Sequence, residues 1–551
     1  MNWKVKTDIS NLLFLSVFML ILSLSMCENT DNPIEENYTV PSWTLYIRAL
    51  QAGQTVSEAK KMLVSKEYPY NINTVINVDP TTQMGIVWYT NANVTGSVVQ
   101  IVEGKVDKFS IFYKTREIHA DYEAVENVNY VSIDRDDISI NNNMALIATT
   151  GFKAGEKRAY TSNKALIDYL KPNTTYSYRV GKRNAWSEIG TFTTAKDNKD
   201  TFEFIYVTDT QANTDDMFDV SKKTIETAFQ HAPDAKFLLI TGDLVESSGE
   251  LSSEWEWEQW FEKMQNIWLH LPIVPMQGNH DISPFCNLFH HFNTDNSYNL
   301  QQASDESKTA MGGTIYTFVY GDALFMIINY EDYGKGEPYF AALEQWMRKQ
   351  VTEHHDIKWK IVAFHKTMFT GSAAHQDDSD GRIVRERMAP VFYDLNIDLV
   401  LQGHDHVYEV IGVLTAEKTT NGIVYTHLPE AVTKQKTVNP TFTDGTVGSN
   451  PSVSVTGKEG GTFNVSNGTL YILNNSAGKK KYYPRSHEQM EDALPQHGVD
   501  KYFELFNKFG QTGTPTFSHV QVSTDVIEID TYTVDDGGEI MLFDTIRVVK
   551  I

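Results

Sequence analysis

Five apolar segments in the middle of the chain each end in a polar side chain, and amphipathic stretches separate them. The segments read FEFIYVTD (202–209), KFLLITGD (236–243), LPIVPMQGNHD (271–281), WKIVAFH (359–365) and IDLVLQGHDH (397–406). The stretches between them, such as FDVSKKTIETAFQHA (218–232), place apolar residues at helical spacing. Strands that alternate with amphipathic helices pack in layers, with the helices covering the sheets. The alternation therefore predicts an α/β domain over residues 200–551.

The residues before this domain follow a different pattern. From 69 to 197, short alternating segments such as MGIVWYTNAN (84–93) are separated by turn residues, which is typical of an all-β sandwich. A charged linker, AKDNKD (195–200), leads into the α/β domain, in which a Thr/Ser/Gly/Asn-rich stretch at about 415–461 predicts a surface excursion. A chain of 551 residues is too long for a single hydrophobic core, so two folded domains are expected.

The N-terminus carries an export signal. Residues 1–26 predict a signal peptide, because two lysines precede an apolar run from Leu12 to about Met26 that is short for a membrane span. LSLSMC (22–27) resembles a bacterial lipoprotein processing box, although Met26 is bulkier than is usual before the cysteine. We expect an exported protein, periplasmic or at the cell surface, lipid-anchored at Cys27; the alternative is ordinary secretory cleavage that leaves a free thiol. Residues 27–68 predict a polar tether and short helices.

Charge and cysteine content limit the partners. With 47 basic and 71 acidic side chains the net charge is −24, which repels phosphate backbones and anionic lipid surfaces. We therefore expect no nucleic acid polymer as a partner and membrane contact only through an anchor at Cys27. Cys286 is the one other cysteine, so we expect no intrachain disulfide in the anchored protein. The oligomeric state stays open.

The polar residues at the five segment ends are all suited to bind metal ions. They are carboxylate, amide and imidazole groups: Asp209, Gln211, Asp243, Asn279, His365, His404 and His406. Ligands of α/β sheets gather beyond the carboxyl ends of the strands, so these side chains can converge. Oxygen and nitrogen donors without thiolate suit Mn, Fe or Zn. Each motif alone also fits an ordinary turn, but five on strand ends indicate one metal site.

The ordered set D-x-Q, GDLVE, GNHD, AFH and GHDH resembles the calcineurin-like metallophosphoesterases. The upstream segments LKPNTTYSYRVG and WSEIGTFTT resemble a fibronectin type III module, particularly the one that precedes the catalytic domain of purple acid phosphatases. The resemblance implies a four-layer β-sandwich flanked by helices, preceded by the all-β sandwich. It also implies two divalent metal ions that share Asp243. The other ligands would be Asp209, Gln211 and His406 for one ion, and Asn279, His365 and His404 for the second.

The same resemblance implies roles for residues that do not bind metal. His280 of GNHD, steadied by Asp281, would stabilise the phosphoryl oxygens or protonate the leaving group, and a hydroxide bridging the metal ions would be the nucleophile. His375, ten positions after His365, matches a further substrate-facing histidine of purple acid phosphatases. Since SAAHQDDSDG (372–381) reads as a loop, an exposed histidine without function is the alternative.

Two positions depart from purple acid phosphatases. Glu246 stands where their metal-binding tyrosine is expected, so we predict a protein without the purple colour and a hydrogen-bonding role for Glu246. Gln211 stands where a histidine ligand is expected. Its carbonyl oxygen is a harder donor that suits Mn²⁺ better than Zn²⁺. We therefore predict two divalent ions, with Mn or Fe ahead of Zn.

Three functions fit these residues. The leading prediction is an acid phosphatase-like phosphomonoesterase. A phosphodiesterase or nucleotide pyrophosphatase is the alternative that Gln211 favours, since the D-x-Q variant also occurs in manganese-dependent relatives that cleave nucleotide diphosphate derivatives. A cell-surface binding protein with a vestigial metal site is the alternative from another class. Intact donors at every strand end argue against the last.

Overall fold

A computed structural model describes residues 68–551 with gaps at 92–93, 110–113, 130–156, 184, 247–253, 282–286, 295–312, 332–333, 335, 421, 430–453, 457–459, 487–488 and 490–501. The predicted signal peptide, the lipid anchor at Cys27, the tether with its short helices, and Cys286 lie outside the described residues. In the described part no helix is both long and apolar enough to cross a membrane.

The N-terminal domain is a β-sandwich. Its strands are β1 (Tyr70–Val75), β2 (Met84–Asn91), β3 (Val98–Glu103), β4 (Arg116–His119), β5 (Asp121–Asn129), β6 (Lys157–Ile167), β7 (Thr175–Lys182), β8 (Ala185–Trp186) and β9 (Gly190–Thr193). One sheet has the order β1-β2-β6-β5, and the other has the order β4-β3-β7-β8 with β9 paired to β7. Alternate residues of the strands, such as Trp88 and Tyr178, are buried between the sheets.

Two sets of strands build the second domain, and the first set continues the β1-β2-β6-β5 sheet of the sandwich. The first contains β10 (Phe202–Val207), β11 (Leu238–Ile240), β12 (Ile273–Pro275), β20 (Gly461–Asn464), β23 (Thr516–Val522), β24 (Val526–Val534) and β25 (Ile540–Val549). The second contains β13 (Tyr316–Tyr320), β14 (Ala323–Ile327), β15 (Trp359–Ala363), β16 (Leu399–Gln402), β17 (Tyr408–Thr419), β18 (Gly422–His427), β19 (Ser454–Thr456), β21 (Thr469–Leu473) and β22 (Phe506–Gln511). Their orders are β20-β25-β24-β23-β10-β11-β12 and β13-β14-β15-β16-β21-β17-β22-β19, with β18 on β17.

Helices cover the outer faces of both sheets. The described α-helices are α1 (Asp215–His231), α2 (Glu254–Lys263), α3 (Gln265–Trp268), α4 (Asn287–His291), α5 (Glu337–Glu353) and α6 (Ser379–Asp394). Short 3₁₀ turns lie at Asn279–Asp281 and Tyr502–Leu505. Strand alternation separates the layers: Phe204 and Tyr206 of β10 lie in the core between the sheets, whereas Ile205 and Val207 pack under the helices. The predicted four-layer α/β fold and the preceding β domain are confirmed.

The two domains share a sheet. β1 of the sandwich pairs in parallel with β12, so the first sheet continues into the N-terminal domain. The Gln265 side chain bonds both backbone groups of Ile72, at 2.9 and 2.7 Å, and Asn73 Nδ2 donates to the carbonyl of His291 at 3.0 Å. The sandwich is thus joined rigidly to the strand that carries the GNHD motif.

The predicted surface excursion begins as regular structure. β17 runs through Thr419 and forms a hairpin with β18, whose residues alternate between exposed and half-buried. Residues 430–453, the middle of the predicted excursion, lie outside the described part. The tryptophans at 255, 257 and 260 are buried against the first sheet.

Candidate metal centre

All seven predicted metal ligands follow the carboxyl ends of parallel strands. β10, β11 and β12 run parallel in the first sheet, and β15 and β16 run parallel in the second. The sheets pack face to face, so the loops after these five strands meet at one edge. We call the seven side chains named above the ligand cluster: Asp209, Gln211, Asp243, Asn279, His365, His404 and His406.

Asp243 lies in the middle of the ligand cluster. Its Oδ1 lies 3.3 Å from His365 Nε2 and accepts the backbone N–H of His280 at 2.9 Å. Its Oδ2 accepts a hydrogen bond from Gln211 Nε2 at 3.0 Å. The two carboxylate oxygens therefore face different members of the cluster, which is the arrangement that a bridging ligand requires.

One group of donors surrounds His365. Its Nε2 lies 3.0 Å from Asn279 Oδ1 and 3.2 Å from His404 Nδ1. Donor atoms of Asp243, His365 and His404 all lie within 4.8 Å of one another. Ligand atoms bonded to one cation at about 2.1 Å lie about 3 Å apart, so this spacing fits a single metal ion.

The other group surrounds Asp209. His406 Nε2 lies 3.4 Å from Asp209 Oδ1, and the backbone N–H of His404 donates to Asp209 Oδ2 at 3.1 Å. Gln211 lies between Asp209 and Asp243. Its backbone N–H donates to the Asp243 carbonyl at 3.0 Å, and its side chain contacts the Asp243 carboxylate. Turning the Gln211 amide over would direct its carbonyl oxygen, instead of its nitrogen, toward Asp243.

Several buried donor atoms of this second group lack hydrogen bonds within the described residues. They are Asp209 Oδ1, Gln211 Oε1 and both ring nitrogens of His406. Burying polar atoms without partners costs free energy, and they concentrate here on residues of a ligating type. The side chains present thus fit divalent cations, which the ligand cluster would hold.

The backbone at the ligand cluster is strained. Asp209, Asp243 and His404 have φ values of 52°, 48° and 76°, a left-handed region that non-glycine residues seldom adopt. A Cβ at Gly278 would lie 2.1 Å from Asp243 Oδ1, which explains the glycine of GNHD. The tertiary structure holds these residues in costly conformations, as functional sites commonly do.

Burial and charge together set the protonation of the cluster. Burial disfavours a charged His365, but the carboxylates of Asp243 and Asp209 outweigh burial and raise the pKa of His365 to about 10. Burial and the neighbouring His365 hold the pKa of His404 well below its usual value. Burial and the charge of Asp243 raise the pKa of Asp281 to about 8. The raised pKa favours a protonated His365 when no cation is bound, so metal binding has to displace that proton.

His280 lies beside the ligand cluster, and Asp281 acts on the turn that carries it. His280 Nδ1 bonds the backbone carbonyl of Glu246 at 2.5 Å, which fixes the ring. Asp281 accepts the backbone N–H groups of Gly278 at 2.9 Å and Leu244 at 3.0 Å. Its buried carboxylate thus ties the GNHD turn to the loop of Asp243, and its role in steadying His280 stays a prediction.

His375 lies inside the site. Its ring packs on the His404 ring, with centroids 4.0 Å apart, and its Nδ1 bonds Asp378 Oδ2 at 2.8 Å. The side chain keeps 25% of its surface exposed. His375 thus lies in contact with the ligand cluster, and its substrate-facing role stays a prediction.

The segment after β21 forms a wall that the motifs do not predict. The backbone N–H groups of Gly478 and Tyr482 donate to the carbonyls of Asp209 and His406, at 3.2 and 3.3 Å. The Tyr482 ring stacks on His406 at 4.3 Å, and Lys480 forms an ion pair with Glu246. β21 runs parallel to β16, so a search for a sixth strand end would have found this segment. We call Glu246, Lys480 and Tyr482 the rim.

Comparisons with known proteins agree with this geometry. Residues 202–408 match the family Calcineurin-like phosphoesterase, and residues 69–194 match the family Purple acid Phosphatase, N-terminal domain. Probable purple acid phosphatase 20 of Arabidopsis thaliana is 25% identical over 287 residues, which cover 50% of this chain and 64% of that protein. Purple acid phosphatase 23 of the same plant is 21% identical over 381 residues, which cover 64% and 76%.

Solved structures show the same fold. A purple acid phosphatase from yellow lupin (Lupinus luteus) seeds superposes with a TM-score of 0.55 at 13% identity, over 88% of this chain and 75% of that chain. PhoD superposes with a TM-score of 0.54 at 10% identity, over 88% and 91%. At these identities the likeness concerns the fold alone.

Fold and matches together define a metallophosphoesterase domain preceded by an accessory domain. Residues 202–408 are a calcineurin-like phosphoesterase domain, and residues 69–194 are a purple acid phosphatase N-terminal domain. The recognition made from the sequence is confirmed. The chain spans about 64% of the length of the first relative, so its activity as a whole belongs to the proposal below.

Proposed function

We propose that the chain is a phosphomonoesterase that uses two divalent metal ions. The observation that carries the proposal is the convergence of the seven side chains of the ligand cluster, with Asp243 in the middle. Several of their buried donor atoms have no hydrogen-bond partner among the described residues. When bound, the ions would supply Lewis acidity toward phosphoryl oxygens and lower the pKa of a coordinated water.

The side chains of this protein would then orient and stabilise the substrate. His280 Nε2 would face the leaving-group oxygen, since the bond from Nδ1 to the Glu246 carbonyl fixes the ring. His375 would contact the phosphoryl oxygens from the opposite side, held by Asp378. Two histidines outside the ligand cluster, His280 and His375, and the lysine Lys480 at one site support a dianionic monoester over a singly charged diester.

We further propose manganese or iron(II) ahead of zinc. Glu246 bonds Lys480 and stands where the phenolate ligand of a ferric ion would be, and Gln211 offers an amide oxygen. Protein produced with Mn²⁺, Fe²⁺ or Zn²⁺ and then desalted should contain two divalent ions and should lack a visible charge-transfer band. A stoichiometric ferric ion with such a band would overturn this assignment.

Turnover of matched esters tests the reaction. With Mn²⁺ present, phenyl phosphate should be hydrolysed faster than methyl phenyl phosphate, its diester counterpart with the same leaving group. The second candidate, a phosphodiesterase or nucleotide pyrophosphatase, draws on the position of Gln211 beside Asp243 and predicts the opposite order. If protein with two bound metals hydrolysed neither ester, both enzymatic functions would be refuted and a binding protein would be favoured.

Its location and partners are proposed from the sequence alone. The signal peptide predicted at residues 1–26 and the net charge of −24 support an exported, cell-surface or periplasmic enzyme that acts on small soluble phosphate esters. Fractionation followed by mass measurement of the N-terminal peptide would test the anchor, because acylation of Cys27 adds a defined mass.

A further inference from the structure

The lysine at the rim stands out in so acidic a chain. Residues 479–481 are three consecutive lysines in a protein of net charge −24, and they lie at the mouth of the site. Lys479 pairs with Asp216 at 2.5 Å on the protein surface, and Lys481 donates to the Gly513 carbonyl. Lys480 alone of the three points toward His280 and the ligand cluster, through its pair with Glu246.

The backbone fixes Lys480 in this place. Ser476 Oγ donates to the Asp209 carbonyl at 2.7 Å, and the Gly478 and Tyr482 bonds described above hold both sides of the lysine. A Cβ at Gly478 would lie 2.9 Å from the carbonyl oxygens of Asp209 and Thr210, so the close approach requires glycine. The segment is thus held to two ligand-bearing loops, with Lys480 between its attachment points.

Lys480 also lies on the side of the site where the leaving group would depart. Lys480 Nζ pairs with Glu246 Oε1, and the same oxygen lies 4.0 Å from His280 Nδ1. The Lys480 side chain keeps 30% of its surface exposed, against 14% for Glu246. An ammonium group has three N–H donors. Within the described residues Lys480 uses one of them for Glu246, so two can reach a ligand.

We propose that Lys480 is a specificity-determining residue that binds a second anionic group on the leaving group of the substrate. The inference rests on the proposed phosphomonoesterase function and narrows its substrates to esters with a carboxylate or phosphate near the scissile bond. Glu246 holds the ammonium in place beside His280, and the exposed face of Lys480 receives the anion. The second anion of the leaving group would meet the positive charge of Lys480 there, although the protein as a whole, with a net charge of −24, repels anions.

Phosphonates test this without turnover. The affinities of the Mn²⁺-loaded protein for 3-phosphonopropanoate and 4-phosphonobutanoate are measured by calorimetry beside propylphosphonate and butylphosphonate, in which a methyl group replaces the carboxylate. The wild type should prefer the carboxylated ligand of at least one length by about tenfold, as expected for a charge-assisted hydrogen bond at a half-exposed site. Lys480→Met should lose the preference, and Lys480→Glu should reverse it.

Lys479→Met is the matched control, because it removes an equal charge one residue away and should keep the preference. A preference that is absent at both lengths in the wild type, or that survives in both Lys480 variants, overturns the proposal. Hydrolysis of phenyl phosphate, whose leaving group is uncharged, reports the proposed function separately. A wild type that binds the phosphonates selectively but leaves phenyl phosphate intact would refute the phosphomonoesterase and retain the Lys480 site.

Discussion

The ligand cluster and the rim face the same space but are built differently. Six of the seven cluster residues are buried, and left-handed backbone and glycine contacts fix their loops. The rim residues are half-buried and held by side-chain contacts, such as the Lys480–Glu246 pair and the stacking of Tyr482 on His406. Changes in the cluster should therefore act on metal content, whereas changes beside it should act on substrates.

The difference follows from what each region has to resist. Donor atoms for two cations must stay close together although their charges and dipoles repel, which requires a rigid scaffold. A residue that selects leaving groups needs donors that face the ligand, and the half-buried Lys480 ammonium offers them beside its bond to Glu246. The ligand cluster would thus carry the chemistry of the site, and the rim would select its substrates.

The largest effect is expected at the centre of the ligand cluster. Asp243→Asn removes the charge that two cations would share, so metal affinity should fall about 100-fold or more and turnover should be lost. Metal content after desalting and turnover of phenyl phosphate check both. Asp219→Asn, at a surface pair with Lys263, is the control. A variant that kept two metals and full activity would show that Asp243 does not bridge.

A slightly smaller effect separates chemistry from metal binding. His280→Ala should lower turnover by about 10² to 10⁴-fold, the usual contribution of a general acid, and should leave metal content unchanged. Turnover and metal analysis on one preparation decide this, with the exposed His355→Ala as the control. Loss of metal from the His280 variant would place this histidine among the ligands instead.

The backbone of the cluster can be tested without changing a donor. Gly278→Ala brings a methyl group to 2.1 Å from Asp243 Oδ1, so the carboxylate has to move and metal affinity should fall about tenfold. Gly334→Ala is the matched control, since no atom of the described residues lies within 4 Å of its added Cβ. Equal metal affinity in the two variants would contradict the close packing of the GNHD turn.

The smallest effect concerns the choice of metal. Gln211→His replaces an amide oxygen by an imidazole nitrogen, so affinity for Zn²⁺ relative to Mn²⁺ should rise severalfold, in keeping with donor softness. Competition titrations of both ions against wild type and variant give the ratio. An unchanged ratio would mean that Gln211 does not contact the metal and that its bond to Asp243 is its whole role.

Several parts of this site follow from the sequence, and others do not. The α/β alternation and the donors at five strand ends predict the fold and bring Asp209, Asp243 and His365 together, because parallel strands end at one edge. The sequence does not show that Asp281 bonds the backbone N–H of Leu244, which lies 37 positions away. It misses Lys480, whose partner Glu246 lies 234 positions away.

The sequence by itself determined the hydrophobic periodicity, the succession of strands and helices along the chain, and the chemical type of the metal donors. These are local properties of short segments. Only the tertiary structure decided which loop closes the site, because the segment after β21 reaches Asp209 through the order of strands in the second sheet. It also decided the left-handed conformations of Asp209, Asp243 and His404, since contacts across the whole domain have to outweigh their local strain.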